Sequence, residues 1–151
     1  MERSGISMAH YVINYCNEQD MPISNLKLQK LLYYIQAAFL CDKKKAFADD
    51  ICPWKYGPVV EAVYHEFKMF VNHIIDEKMP EVTLSEKESV LANKVIDSYK
   101  NYTALEMVNK THMEAPWKNA YNNNDDVIKP EDIKAYYMRD SEKIYGVHLS
   151  R

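Results

Sequence analysis

Residues 25–41 read NLKLQKLLYYIQAAFLC, from Asn25 to Cys41, and this stretch decides the fold class. Its seventeen residues include neither Gly nor Pro, and Ser24 stands just before it as a candidate N-cap, so the stretch predicts a helix. At helical spacing Leu28, Leu31, Leu32, Ile35, Ala38 and Phe39 fall on one face, the pattern of a core-facing stripe. The other faces are not plainly polar. Tyr33 and Leu40 flank Gln29 and Gln36, and Tyr34 lies near Lys27 and Lys30. A helix that is apolar over more than one face has neighbours on several sides. The expectation is a mainly α, compact helical bundle built around this central helix, with residues 1–151 forming one domain.

Composition supports that reading. A chain of 151 residues is long enough to bury about 70% of the surface its unfolded form exposes. Hydrophobic residues at 47% and charged residues at 27% are globular values, and three glycines are too few for a fold with many tight β-turns. A net charge of −3 argues against a general binder of nucleic acid or membrane surfaces. No apolar run approaches the ~18 residues of a membrane span, and Met1-Glu2-Arg3-Ser4 opens no signal peptide. Cys16, Cys41 and Cys52 are odd in number and lack ligand-like spacing, which reads as reduced thiols in a cytoplasmic protein.

Outward from the central stretch, Ile6 to Asn17 predicts a preceding helix with Ile6, Ala9, Ile13 and Cys16 on one face. Asp42-Lys43-Lys44-Lys45 reads as an exposed loop, with Phe47 and Ile51 anchoring the connection after it. Gly57-Pro58 has the chemistry of a helix start, and Val59, Val60, Val63, Tyr64, Phe67, Phe70 and Val71 behind it predict a second long helix. Residues 72–82 read as a loop. Ser85-x-x-Glu88 and Thr103-x-x-Glu106 are capping boxes, each opening a helix, with Tyr102 and Met107 placed as a hydrophobic staple. Pro116 and Pro130 open two more, and residues 141–151 read as a flexible tail. Short minor strands are expected around Ile51 to Trp54 and at Val127-Ile128.

Three stretches together resemble one family: Leu28-Gln29-Lys30-Leu31-Leu32-Tyr33-Tyr34, then Trp54-Lys55-Tyr56-Gly57-Pro58-Val59-Val60 with Tyr64, then Thr111-His112 with Pro116-Trp117. Their order and spacing are similar to the Panacea domain, the SocA-like group of antitoxins associated with phages and mobile elements. The resemblance covers about residues 5 to 140. It implies a mostly helical domain that neutralises a protein toxin encoded by an adjacent gene, in most members by direct binding. SocA-like behaviour implies an alternative, an adaptor that delivers the toxin to a ClpXP-type protease. Many members carry extra domains that help to choose the partner; this chain has no room for one, which places recognition on the domain itself.

Enzymatic chemistry finds little footing. Thr111, His112 and Glu114 hold the residue types of a nucleophile, a base and an orienting acid, but a triad needs them in mutual hydrogen-bond reach. A structural His112 holding the loop before Trp117 is the preferred reading. His65-Glu66 lacks a histidine at position 69, where Met stands, so it is no zinc helix, and His73 falls on another face. No phosphate-cradling glycine loop and no Gly-x-Ser-x-Gly is present. No metal, cofactor or catalytic residue is expected. A DNA-binding autoregulator is a weaker alternative, since the three arginines, Arg3, Arg139 and Arg151, lie near the chain ends and the longest basic cluster is Lys43 to Lys45. Protein binding leads, because aromatic residues are enriched in interface cores and this chain has twelve tyrosines and two tryptophans. Two groups are the candidate protein-binding residues: Tyr34 with Lys27 and Lys30, and Trp54 with Lys55 and Tyr56. Gly57, Pro58, His112, Pro116 and Trp117 are the candidate structural residues.

Overall fold

The computed structural model describes residues 2–147 and is mainly α. Seven helices are found among them: α1 (Gly5–Glu18), α2 (Asn25–Cys41), α3 (Glu61–Phe67), α4 (Glu86–Ser98), α5 (Ala104–His112), α6 (Ala115–Asn122) and α7 (Pro130–Arg139). Two strands, β1 (Cys52–Trp54) and β2 (Gly57–Val59), form an antiparallel hairpin, and single 3-10 turns follow α3 and α7. Local chemistry accounts for most of the helix starts. Ser24 accepts from the Lys27 N–H, and both Ser85 and Thr103 close reciprocal capping boxes with Glu88 and Glu106. Pro116 and Pro130 sit in the first turns of α6 and α7, where a missing N–H costs nothing.

α2 is the axis of the molecule. Every residue from Lys27 to Leu40 is buried, and α1, α3, α4, α5, α7 and β2 all pack on it. A helix enclosed on all sides cannot be apolar throughout here, because irregular backbone runs beside it and needs hydrogen-bond partners. The polar side chains of α2 supply them. Gln36 accepts from the Ala46 N–H at 2.7 Å and donates to the Phe47 carbonyl at 2.9 Å, fastening the loop after α2. Gln29 accepts from the Val60 N–H at 2.8 Å and donates to Asn25, which in turn donates to the Tyr64 carbonyl. Lys27 donates from Nζ to the carbonyls of Tyr99 and Tyr102 at 3.0 and 2.7 Å, a cation at the C-terminal end of α4, where the helix dipole favours it.

Three expectations are corrected. Gly57-Pro58 does not start a helix: it opens β2, with Pro53 facing Pro58 in the hairpin. Gly57 has φ +104, a left-handed backbone angle that turns the chain out of the hairpin tip, and a Cβ there would meet Lys30 Cε at 2.7 Å and Thr111 Oγ1 at 2.9 Å. The long helix expected behind it shrinks to the seven residues of α3, because the β-branched pair Val59-Val60 stays extended and α3 gives way to a 3-10 turn at Lys68–Phe70. Second, the partner of β1 is β2, while Ile128 contributes only an isolated bridge to Ile51. Third, the expected tail is docked as far as it is described. Ile144 is buried, its carbonyl accepts from Tyr99 Oη at 2.6 Å, and the Gly146 N–H donates to Ser98 Oγ at 2.9 Å. Residues 148–151 of that expectation lie outside the described residues.

Candidate functional site

The three sequence stretches that carried the family resemblance, far apart in the chain, converge on the β1–β2 hairpin. Its tip is Lys55-Tyr56, both exposed, and each flank is clamped from behind. Trp117 of α6 donates its indole N–H to the Trp54 carbonyl at 2.8 Å. The His112 ring stacks on Trp117 at 4.0 Å between centroids, with 17° between planes, and hydrogen-bonds the Lys55 backbone. Lys30 of α2 donates from Nζ to the Pro58 carbonyl at 3.0 Å. α2, α5 and α6 thus hold one short turn in a fixed position.

The candidate binding residues divide sharply. Trp54 is half-buried, and Lys55 and Tyr56 are exposed, so this group forms a surface. Tyr34, Lys27 and Lys30 do not: Tyr34 and Lys30 have no exposed surface and Lys27 is also buried. The expectation treated the two lysines as markers of solvent, and here their ammonium groups are satisfied by backbone carbonyls inside the protein. Tyr34 instead joins a buried network. Its hydroxyl and that of Tyr137 both donate to Glu114 Oε1, at 2.7 and 2.6 Å, and Lys110 Nζ donates to Oε2 at 2.9 Å. Tyr33 contacts Tyr137 hydroxyl to hydroxyl at 3.1 Å, and Lys110 also donates to the Lys143 carbonyl. Burial pushes the hydroxyls of Tyr33, Tyr34 and Tyr137 above their ordinary ionisation range, so they serve here as neutral donors. Sequence reasoning missed this network; Glu114 so close to His112 and Pro116 was the available signal.

The same geometry separates the Thr111, His112 and Glu114 set. Thr111 Oγ1 donates to the Val108 carbonyl at 2.7 Å within its own helix, and Glu114 is engaged by two tyrosines and Lys110. Neither is joined to His112, whose Nε2 is buried without a hydrogen-bond partner. Burial pushes the His112 imidazole below its ordinary value, with the nearby Lys30 charge adding to the effect. Among the described residues no group of three or more His, Cys, Asp or Glu is placed to hold a metal ion.

In front of the hairpin lies a groove of about 700 Å³. The first turn of α2 forms its floor, the hairpin one wall, and α3 with the residues after it the other. Leu26, Trp54, Val59 and Val71 give it an apolar lining. Val71 is exposed and holds φ 56, a left-handed angle that disfavours a β-branched residue, at the edge of this groove.

Burial lowers the Lys30 ammonium from 10.5 to about 7, because its charge loses water and gains one carbonyl. The sign of the stability effect follows. Between about pH 7 and 10.5 the unfolded chain holds more proton at Lys30 than the folded one, so this residue makes stability rise with pH in that window. Below pH 7 the burial penalty is present in full. Lys30→Met should therefore flatten the pH dependence of unfolding free energy between pH 7.5 and 9.5, by at most about 1.4 kcal/mol per pH unit. Urea denaturation of both proteins across that range measures it, and parallel curves would show that the amine is not desolvated.

The fold is mainly α, and comparison with known proteins supplies the family. Residues 28–118, more than half of the chain, match the family described as Antitoxin SocA-like, Panacea domain. The chain belongs to that family. It is 40% identical over 62 residues to Antitoxin SocA of Caulobacter vibrioides (strain NA1000 / CB15N), a match covering 40% of this chain and 33% of that protein. The matched stretch thus spans about a third of the relative's length. No solved structure matches the chain.

Proposed function

We propose that this protein is a non-enzymatic antitoxin that neutralises a protein toxin by direct contact through the face carrying Trp54, Lys55 and Tyr56. The observation that carries the reading is the clamped hairpin: three contacts from three helices fix the backbone of a short turn whose outer side chains are exposed, and the stack of His112 on Trp117 braces two of them. Holding the backbone of a turn in place before binding removes part of the ordering cost, so such a tip is suited to recognition. The toxin-binding surface then lies on this domain itself. Delivery of the toxin to a ClpXP-type protease is the alternative that the family resemblance implied, and no feature of the hairpin favours it. Action in the cytoplasm is consistent with three free cysteines, and no described helix is long and apolar enough to cross a membrane.

The test begins with the adjoining open reading frames. One of them, expressed alone from an inducible promoter, should arrest growth, and co-expression of this protein should restore it. Copurification of the two proteins in a protease-deficient host separates direct neutralisation from delivery to a protease. Rescue that disappears when ClpXP is absent would overturn direct neutralisation, and harmless neighbours would remove the antitoxin reading.

A further inference from the structure

The groove in front of the hairpin has a chemistry of its own. Its floor is dry in the sense that counts for binding, because the polar groups beneath it are already engaged. Asn25 Nδ2 donates to the Tyr64 carbonyl at 3.1 Å, Gln29 Nε2 donates to Asn25 Oδ1 at 2.9 Å, and Gln29 Oε1 accepts from the Val60 N–H at 2.8 Å. What remains over that floor is mostly apolar, Leu26, 36% exposed at the start of α2, with Trp54, Val59 and Val71 around it, and the exposed Asn72 adds one polar side chain at the edge. The rim is the opposite. Lys55 and Lys68 are the only charged residues lining the groove, and neither makes an ion pair among the described residues. The hydroxyls of Tyr56 and Tyr64 stand beside them without hydrogen-bond partners among the described residues. Lys55 Nζ lies 5.6 Å from the centroid of the Tyr56 ring, a contact that leaves its N–H donors open to an anion. An apolar floor with two rim cations that have no carboxylate partner among the described residues fits an apolar side chain flanked by carboxylates.

Two further features narrow the occupant. Several backbone groups along the hairpin are already engaged, which leaves little edge for an added strand. The Trp54 carbonyl is taken by Trp117, Ile51 is bridged to Ile128, and on the β2 side Lys30 and Gln29 occupy the Pro58 carbonyl and the Val60 N–H. A partner therefore gains more by seating side chains than by extending the sheet. On its other side Trp54 borders a second depression lined by Asp49, Asp50, Glu61 and Asp126. A nucleic acid crossing this face would bring its phosphates against those carboxylates, whereas a peptide can place its acids over the lysines alone.

We propose that the groove between the hairpin, the first turn of α2 and the end of α3 binds a toxin segment presenting one bulky apolar side chain with adjacent Asp or Glu. This rests on the antitoxin reading for the identity of the partner, and on the groove alone for its chemistry. The apolar side chain fills the space over Leu26 and Val59, and its neighbouring carboxylates pair with Lys55 and Lys68. Trp54 closes one wall as an aromatic anchor.

The probe is a random twelve-residue peptide library displayed on phage, selected on the full-length protein and counter-selected on Leu26→Glu. That variant puts an acid in the groove, and an acid in the first turn of α2 suits the helix dipole, so its melting temperature should match the wild type. Selected peptides should share an aromatic or branched aliphatic residue beside one or more acids. The synthesised winner should lose about thirtyfold in affinity on Leu26→Glu, the scale of an interface hot spot. The double charge reversal Lys55→Glu with Lys68→Glu should weaken it at least tenfold and should accept the same peptide with its acids changed to lysine. Selection of basic peptides, binding indifferent to Leu26, or Leu26-dependent binding of a single-stranded oligonucleotide would overturn the proposal. In cells, full neutralisation of a toxic neighbour by Leu26→Glu would overturn it as well, while leaving the antitoxin reading intact. Harmless neighbours would remove that reading, and Leu26-dependent acidic peptides would then still support the groove's assigned chemistry.

Discussion

Glu114→Ala is expected to cost about 3–5 kcal/mol of folding free energy, the range found when one partner of a buried charged pair is removed. Glu114 is 5% exposed and accepts three hydrogen bonds, from Tyr34, Tyr137 and Lys110. Both tyrosines are fully enclosed, so no water can replace the carboxylate at their hydroxyls. Lys110 keeps its contact with the Lys143 carbonyl and its place over the Tyr34 ring at 4.3 Å, but loses its counter-charge. Glu114→Gln keeps the shape and one acceptor oxygen, and should lose less than half as much. Adding Tyr33→Phe, Tyr34→Phe and Tyr137→Phe together to Glu114→Ala removes the stranded hydroxyls, including that of Tyr33, whose partner is Tyr137, and should recover part of the loss, which excess helix disruption could not explain. Urea denaturation of the four proteins measures the series. An alanine variant within about 0.5 kcal/mol of wild type would mean the network is not closed to water.

Trp117→Ala should cost a similar amount, about 3–5 kcal/mol, for a different reason. The ring is 7% exposed and lies between His112 at 4.0 Å and Tyr121 at 4.7 Å, both stacked. Its removal leaves a cavity the width of an indole beneath the hairpin, and strands the Trp54 carbonyl. Trp117→Phe preserves the stack and loses the hydrogen bond, so about 1 kcal/mol is expected from it. The two losses are also distinguishable by place. Amide hydrogen exchange at Lys55, Tyr56 and Gly57 should quicken in both Trp117 variants, because the clamp on the hairpin is loosened in each. An unchanged melt for Trp117→Ala would make the ring a surface group. Slow exchange at the tip in that variant would show that Lys30 and His112 suffice to hold the turn.

Much of the helical framework was legible because its determinants are local. Ser24, Ser85 and Thr103 each satisfy a donor three residues away, and Pro116 and Pro130 exclude themselves from any position but a first turn. Such signals lie within one helical turn of the residues they act on, so they survive reading without coordinates. The candidate surface was half legible. Lys55 and Tyr56 reach solvent as expected of a connection, since a Gly-Pro pair announces a break in regular structure whichever element follows, whereas Trp54 is half-buried within β1.

Lys27, Lys30 and Tyr34 could not be read that way. Their spacing on α2 puts them on one face, but whether that face meets water depends on what else packs there, and the partners come from far along the chain, Pro58 at 28 residues from Lys30, Tyr99 at 72 from Lys27 and Glu114 at 80 from Tyr34. Residue type misleads in this case because backbone carbonyls left free by helix ends and turns can offset much of the cost of burying a lysine, fully enough for two carbonyls to hold Lys27 and only in part at Lys30. Gly57 is the same lesson in reverse. Glycine before proline permits both a helix start and a hairpin turn, and the hairpin it takes is fixed by partners distant in the chain, with Lys30 and Thr111 so close to Gly57 that no Cβ would fit. Helix starts and the enclosed character of α2 were thus properties of neighbouring residues along the chain. Which polar side chains are interior brackets and which remain for a partner was decided by long-range packing, since desolvation depends on every element that closes over a group.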